Sequence, residues 1–143
     1  MPAILTERTI AADQQQVFSA LTDPHELDRW WADEARVQPK VGSVGEFRFR
    51  PPAGVLRFEV VELDAGEQVS WVSRQGPPHW AGTIVKWHLT PVQDGTKVVF
   101  THEGFAQVDL AYERTRGNWE YFLDSLTAYL ETGHGTPGLP PLV

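Results

Sequence analysis

The most regular feature of the chain is an alternation of apolar and polar residues between Glu34 and Phe105. Alternation with period two predicts strands that bury one face and expose the other. Short turns, such as those at Gly42 and Gly95, separate the runs, so we expect neighbouring strands to pair as antiparallel hairpins. The apolar positions of the pattern are Phe47, Phe49, Leu56, Phe58, Val60, Val69, Trp71, Val85, Trp87, Leu89, Val98 and Phe100.

One strand and two short helices are predicted before this region. Residues 4–11 mix β-branched and charged side chains, which indicates a strand. Asp13 and Asp23 each precede a helical segment and are followed three residues later by Gln or Glu, the spacing of a capping box. We therefore expect two short helices, the second ending near Trp30 and Trp31.

The last predicted element is a long helix from about Asp109 to Thr132. Gly117 interrupts it, so we expect the helix either to bend there or to approach another backbone segment closely. Arg114 is predicted to lie, with neighbouring acidic residues, on or near the face that points away from the sheet. The apolar stripe that packs on the sheet comprises Trp119, Phe122, Leu123, Leu126 and Leu130.

Together these elements predict the α+β class, because the strands run together and the helices are segregated. The expected architecture is a curved antiparallel sheet of about six to seven strands around a long C-terminal helix, with two short helices after the first strand. We expect a single domain over residues 1–133. Glycine and proline residues then predict a loosely ordered tail over residues 134–143.

Composition and charge exclude several classes of protein. The chain contains no cysteine, which excludes a disulfide scaffold, a thiolate zinc site and a cysteine nucleophile. Its net charge of −7 argues against sequence-independent nucleic-acid binding, and the densest basic group, Arg48, Arg50 and Arg57, is expected on a solvated face. No stretch approaches the ~20 apolar residues that cross a bilayer, and the first residues lack a signal-peptide pattern. We therefore expect a cytoplasmic protein without a membrane-bound segment.

Candidate chemistry lies mainly on the predicted inward face. Aromatic and aliphatic residues there are typical of an apolar ligand pocket, although the same residues also fit an ordinary filled core. Six tryptophans in 143 residues favour the pocket slightly, because large rings pack imperfectly. The candidate ligand-binding residues are Trp31, Phe49, Phe58, Val60, Trp71, Trp87, Phe100, His102, Trp119 and Leu123.

His102 is the most informative polar residue of this set. Its position in the alternation points it inward, where a neutral imidazole could bond a ligand or transfer a proton; a buried histidine satisfied by a protein group is the competing interpretation. Glu62 is either an inward carboxylate or a solvated residue at a strand end. Trp30 and Trp31 either cover a cavity mouth, present an aromatic surface to a partner, or contribute one ring to the core. The loop 75–80 either gates a pocket or only turns the chain.

Other kinds of site lack support in the residue spacing. The five histidines show no metal-ligand spacing, and neither a nucleophile elbow nor a phosphate-binding glycine loop is present. We therefore assign no catalytic residue, no metal site and no cofactor.

Several segments of the chain resemble a known family. They are residues 7–10 (ERTI), 17–24 (VFSALTDP), 27–31 (LDRWW), 95–105 (GTKVVFTHEGF), 117–119 (GNW) and 129–133 (YLETG). Together they resemble the START-like, or SRPBCC, superfamily, and within it the homologues of the activator of the heat-shock-protein-90 ATPase. The resemblance covers nearly the whole chain, to about Gly133.

The resemblance implies a helix-grip fold with a cavity between the sheet and the long helix. It does not imply one activity, since relatives include lipid carriers, polyketide cyclases and chaperone activators. Our leading hypothesis is binding of a small apolar or aromatic molecule without a defined reaction. The alternatives are a polyketide-cyclase-like enzyme that uses His102, and a protein that interacts with a chaperone. Either a monomer or a homodimer is compatible with the sequence.

Overall fold

The computed structural model describes residues 2–51 and 54–138. Its seven strands form one antiparallel sheet in the order β1-β7-β6-β5-β4-β3-β2. The helices are α1 (Gln14–Thr22), α2 (Pro24–Trp30) and α3 (Leu110–Thr132). The strands are β1 (Ala3–Ile10), β2 (Glu34–Arg36), β3 (Val44–Arg48), β4 (Val55–Asp64), β5 (Gln68–Gln75), β6 (Ile84–Val92) and β7 (Gly95–Glu103).

This arrangement confirms the predicted α+β, helix-grip architecture. All strands from β2 to β7 pair with their neighbours in the chain, as short turns between alternating segments require. β1 closes the sheet at the other edge by pairing with β7, from Ala3 opposite Glu103 to Ile10 opposite Thr96. The long helix α3 packs on the concave face, where Trp119, Leu123 and Leu126 are almost fully buried; the core therefore lies between sheet and helix.

The predicted capping box of the first helix is confirmed, and that of the second is wrong. The Asp13 side chain accepts from the Gln16 N–H, and the Gln16 side chain accepts in return from the Asp13 N–H. At the second helix the Asp23 carboxylate accepts from the His25 N–H. Glu26 does not close a box there, because its carboxylate accepts instead from the Tyr129 hydroxyl at 2.9 Å.

A β-bulge changes the orientation of Glu62. The register between β4 and β5 shifts between Val60 and Glu62, which brings Glu62 opposite Ser70. One extra residue in a strand moves the following side chains to the other face. The Glu62 carboxylate thus accepts from Gln68 Nε2 and Ser70 Oγ, whereas Leu63 packs against the core. Of the two interpretations of Glu62, the inward carboxylate is wrong.

Charged residues on the outer face of the sheet pair across the strands. Arg48 and Arg57 both lie within ion-pair distance of Glu46, and Arg74 pairs with Glu59 at 2.9 Å. All of these side chains are partly or largely exposed, so each pair contributes at most about 1 kcal/mol. Arg48 and Arg57 therefore lie on a solvated face, as the alternation predicts.

The segment that follows α3 runs back along the molecule. The Thr136 N–H donates to Ser125 Oγ at 2.7 Å, and the Gly138 N–H donates to the Trp31 carbonyl at 2.9 Å. Residues 139–143, the rest of the predicted tail, lie outside the described residues. The domain boundary at Gly133 stays a prediction.

Gly117 lies within α3, and apart from its chain neighbours and the adjacent helix backbone no heavy atom lies within 4 Å of where its Cβ would be. The expected close backbone approach is therefore absent at this described position. We expect Gly117→Ala to raise the free energy of unfolding by about 1 kcal/mol, because alanine loses less backbone entropy in a helix. Chemical denaturation measures the change.

Gly133 provides a matched control for this substitution. A Cβ there also meets nothing within 4 Å, but Gly133 ends α3 with a φ of 87°. The backbone of residues other than glycine is strained in that left-handed region. Gly133→Ala should therefore lower the free energy of unfolding by about 1 kcal/mol. Equal effects of the two substitutions, or a loss of stability for Gly117→Ala, would contradict the argument.

Candidate functional site

An aromatic cleft opens between the sheet and α3. Its volume is about 100 Å³. It lies where the end of β3 and the start of β4 face the first half of α3, and a 3-10 turn (Pro78–Trp80) borders it. We call it the tryptophan cleft, and its described lining residues are Trp31, Phe49, Leu56, Pro77, Trp80, Arg114, Thr115, Asn118, Trp119 and Phe122.

Trp31 forms the inner wall of the tryptophan cleft. Helix α2 ends at Trp30, and the Trp31 N–H still donates to the Leu27 carbonyl at 3.0 Å, which directs the ring under the sheet. There its ring stacks on Trp71 at 5.5 Å and on Trp119 at 5.8 Å between centroids. The ring therefore bridges the sheet and α3.

Trp30 is buried as well. Its indole Nε1 donates to the Ala20 carbonyl at 2.8 Å, so its ring packs under α1 while that of Trp31 packs under the sheet. Trp30 is 0% exposed and Trp31 is 1% exposed. The interpretation that this pair presents an aromatic surface to a partner is therefore wrong, and both rings, rather than one, belong to the core.

Trp80 is a cleft residue that sequence analysis did not select. The loop 75–80 contains a 3-10 turn that begins at Pro78, and this turn directs the Trp80 ring inward. Its Nε1 donates to Thr115 Oγ1 of α3 at 3.0 Å, and its ring stacks on Trp119 at 6.4 Å. A large ring after two prolines was the available signal, since an apolar ring in a loop has to be covered.

The ten candidate ligand-binding residues separate into three groups. Trp31, Phe49 and Trp119 line the tryptophan cleft. Phe58, Val60 and Trp71 line a second gap of about 10 Å³, which has room for no more than a single water molecule. The remaining four line neither space and fill the core between them: Trp87, Phe100, His102 and Leu123.

His102 is inward, as predicted, and both of its ring nitrogens have protein partners. Trp119 Nε1 donates to His102 Nδ1 at 3.0 Å. Thr83 Oγ1 lies 2.8 Å from His102 Nε2, and its own hydrogen is donated to the Trp80 carbonyl. His102 Nε2 must therefore carry the proton and donate to Thr83, which fixes one neutral tautomer.

Burial and, to a lesser extent, the nearby His79 lower the pKa of His102 from 6.5 to about 3. The imidazole is 0% exposed and offers no free nitrogen to the tryptophan cleft. Because Glu62 faces the outer side of the sheet, the inward acid that a proton-transfer mechanism needs is not placed beside it. The structure thus corresponds to the interpretation of a buried, satisfied histidine.

Arg114 lies on the side of α3 that borders the cleft, rather than on or near the opposite face. It precedes Asn118 by four residues, so the two side chains are neighbours on the helix surface. Thr115, Trp119 and Phe122 continue the same side. This spacing was the signal by which the sequence could have placed Arg114 at the cleft.

No three or more histidine, aspartate or glutamate side chains are grouped so as to hold a metal ion within residues 2–51 and 54–138. Over the same ranges, none of the helices combines the length and apolar character that would let it traverse a lipid bilayer.

Comparison with known proteins supplies a family. The family model described as "Activator of Hsp90 ATPase homolog 1-like protein" matches residues 11–131, which is most of the chain. The chain belongs to this family. This confirms the resemblance on which the expected helix-grip fold was based. The comparison with curated proteins found no match.

Solved structures of relatives support the same assignment to the Activator of Hsp90 ATPase homolog 1-like family. The Aha1 dimer from Colwellia psychrerythraea is 31% identical with a TM-score of 0.86, and the alignment covers 94% of this chain and 100% of that one. Protein MLL2253 from Mesorhizobium loti is 25% identical with a TM-score of 0.79, covering 91% of this chain and 97% of that one.

A more distant likeness shows the fold alone. Protein SSP2350 from Staphylococcus saprophyticus is 19% identical with a TM-score of 0.80, covering 94% of this chain and 96% of that one. The sheet and α3 are thus shared with proteins whose side chains differ at four positions in five. The function of a member of this family has to be argued from its own site.

Proposed function

We propose that this protein binds a small apolar or aromatic molecule, the size of a single ring, in the tryptophan cleft. The observation that carries the proposal is the arrangement of Trp31, Trp80 and Trp119 around one opening between the sheet and α3. Indole faces bind planar apolar groups by burial and by stacked or edge contacts. Few polar groups border the opening, which is typical of a ligand pocket.

The volume of the tryptophan cleft limits the size of the ligand. Pockets for drug-sized molecules enclose roughly 300–1,000 Å³, whereas this cleft measures about 100 Å³. An apolar cavity of about 150 Å³ holds a benzene molecule. A single ring that stays partly exposed at the mouth therefore fits, and a steroid or a long acyl chain does not fit without movement of the surrounding side chains.

A titration with toluene, followed through the indole N–H resonances, tests the proposal. We expect the largest chemical-shift changes at Trp31, Trp80 and Trp119, and small changes at Trp30 and Trp87, which do not line the cleft. Single Trp→Phe variants assign the six indole resonances of the chain. Unchanged indole resonances at saturating toluene would overturn the proposal, and so would changes confined to Trp30 and Trp87.

Native mass spectrometry of the purified protein tests whether a natural ligand is bound in the cleft. A small molecule that leaves on denaturation would give its chemical class directly. The expected mass is that of one ring-sized molecule per chain, because the cleft has room for one ring only.

A second candidate function is stimulation of a heat-shock-protein-90 ATPase. The family description and the Aha1 dimer of Colwellia favour it. Adding this protein to a cognate chaperone should then raise the ATPase rate, and an unaltered rate would remove the candidate. The chaperone partner, the oligomeric state and a cytoplasmic location stay predictions, and light scattering in solution distinguishes a monomer from a homodimer.

A further inference from the structure

The polar edge of the tryptophan cleft has one member that a ligand cannot use. Thr115 Oγ1 donates its hydrogen to the Ala111 carbonyl at 3.0 Å. It accepts from Trp80 Nε1 at 3.0 Å and lies 2.9 Å from His79 Nε2. A hydroxyl group has one hydrogen and two acceptor sites, so these three contacts saturate it.

Arg114 and Asn118 remain as the polar groups at the edge. In the part of the chain that the structure describes, neither side chain takes part in a hydrogen bond or an ion pair with another residue. The closest acid along the helix, Glu113, is paired with Arg116, and no carboxylate is among the described residues that line the cleft. Both free side chains of this edge can therefore donate hydrogen bonds. The Arg114 guanidinium only donates and carries a positive charge, whereas the Asn118 amide also has an oxygen that accepts.

We propose that the ligand of the tryptophan cleft is an aromatic carboxylate. The proposal rests on the function proposed above and specifies its ligand. The ring lies among the indole rings of Trp31, Trp80 and Trp119, and the carboxylate lies at the mouth, against the guanidinium of Arg114. A planar guanidinium matches a carboxylate with two parallel N–H donors. The Asn118 amide, half-buried beside it, supplies a further donor.

A comparison of a charged and an uncharged ligand tests this proposal. Benzoate and benzamide have the same size and planarity, but only benzoate is an anion at neutral pH. We expect benzoate to bind about tenfold more tightly than benzamide, because a hydrogen bond to a charged group contributes more than a neutral one. Titrations followed by the indole resonances give both dissociation constants. Added salt should weaken the binding of benzoate and leave that of benzamide unchanged.

Two arginine variants test whether Arg114 supplies the positive charge that binds the carboxylate. Arg114→Gln should bring the affinity for benzoate close to that for benzamide, a loss of about tenfold. It should reduce the affinity for benzamide much less, because the benzamide oxygen is uncharged. Arg116→Gln is the matched control, because Arg116 is exposed on the same helix, does not line the cleft and is paired with Glu113. It should retain the preference for benzoate. Both arginines are exposed, so the folded structure is expected to persist in both variants.

The possible outcomes separate this inference from the proposed function. Binding of toluene and benzamide without a preference for benzoate overturns the inference and leaves the proposed function in place. A preference for benzoate that survives Arg114→Gln, or that Arg116→Gln abolishes equally, also overturns it. If none of the three probes perturbs Trp31, Trp80 or Trp119, the proposed function itself fails.

Discussion

Replacing Trp31 with alanine is expected to lower the free energy of unfolding by about 3–5 kcal/mol, the usual range for removing a large buried ring. The ring is 1% exposed and contacts side chains of the sheet and of α3. Its centroid lies 4.7 Å from that of Phe47, and it also stacks on Trp71 and Trp119. Removing it separates the sheet from α3 at the position where the two are joined by stacked rings.

Denaturation in urea measures this loss, and two further variants show its origin. Trp31→Phe keeps a ring and should lose less than Trp31→Ala, because less volume is emptied. Leu5→Ala is the control, since Leu5 is 71% exposed on the edge strand β1 and its removal should change stability by less than about 0.5 kcal/mol. A loss below about 1 kcal/mol for Trp31→Ala would show that the ring does not hold the two layers together.

The same substitution connects stability to the proposed function. Trp31→Ala leaves a gap beside the tryptophan cleft, so free indole should restore part of the lost stability by occupying it. Rescue by indole at concentrations that do not stabilise Trp31→Phe would indicate that the cleft and the core are continuous spaces. The stability of the fold and the size of its binding site then depend on the same ring.

The orientation of the inward residues could be predicted from the sequence because it depends on local periodicity. In β7 buried residues alternate with half-buried ones, and His102 follows Val98 and Phe100 among the buried residues. The partners of His102 could not be predicted in the same way. Trp119 approaches from α3 and Thr83 from the segment before β6, so both contacts depend on tertiary packing.

Two local irregularities account for most of what the alternation did not predict. A bulge after Val60 reverses the face of Glu62, and no glycine or proline marks it. The 3-10 turn at Pro78 directs Trp80 into the cleft, and its position is stabilised by a hydrogen bond to Thr115, which is 35 residues away in the chain. Contacts at such separations leave no periodic pattern in a single sequence.

The volume of the cleft also could not be predicted from the sequence. An aromatic inward face is compatible with an open pocket and with a filled core, because the volume depends on how the rings are tilted. In the structure Trp87 meets Phe100 edge-on at 4.7 Å, and Trp119 lies 4.6 Å from Phe100. These rings fill the centre of the predicted cavity. Among the described residues, the cleft of about 100 Å³ lies at the end that Trp31, Trp80 and Trp119 surround.

Acid is expected to destabilise this protein through His102. Its pKa is about 3 in the folded chain, mainly because burial disfavours the charged imidazole, and about 6.5 in the unfolded chain. Above about pH 6.5 the histidine is neutral in both states, and its contribution to stability is fully present. As the pH falls from about 6.5 towards 3, only the unfolded chain takes up a proton. The free energy of unfolding therefore decreases in this window, by up to about 1.4 kcal/mol per pH unit.

His102→Gln removes the titration and keeps the hydrogen bonds. A glutamine oxygen accepts from Trp119 Nε1 and its amide donates to Thr83 Oγ1, as the neutral imidazole does. Between about pH 7 and about pH 5 we expect the wild-type chain to lose about 2 kcal/mol more than the variant, as the linkage relation gives for one histidine. Urea denaturation at several pH values within this interval measures the difference between the two slopes.

The control for this experiment is a histidine on the opposite face of the sheet. His88 is exposed in β6, so His88→Gln is the control for replacing a histidine by glutamine outside the core. Equal slopes for wild type and His102→Gln would contradict a buried neutral imidazole. If the wild-type chain instead loses about 2 kcal/mol more than His102→Gln, His102 is a buried neutral imidazole. Its hydrogen bonds with Trp119 and Thr83 then join α3 to the sheet.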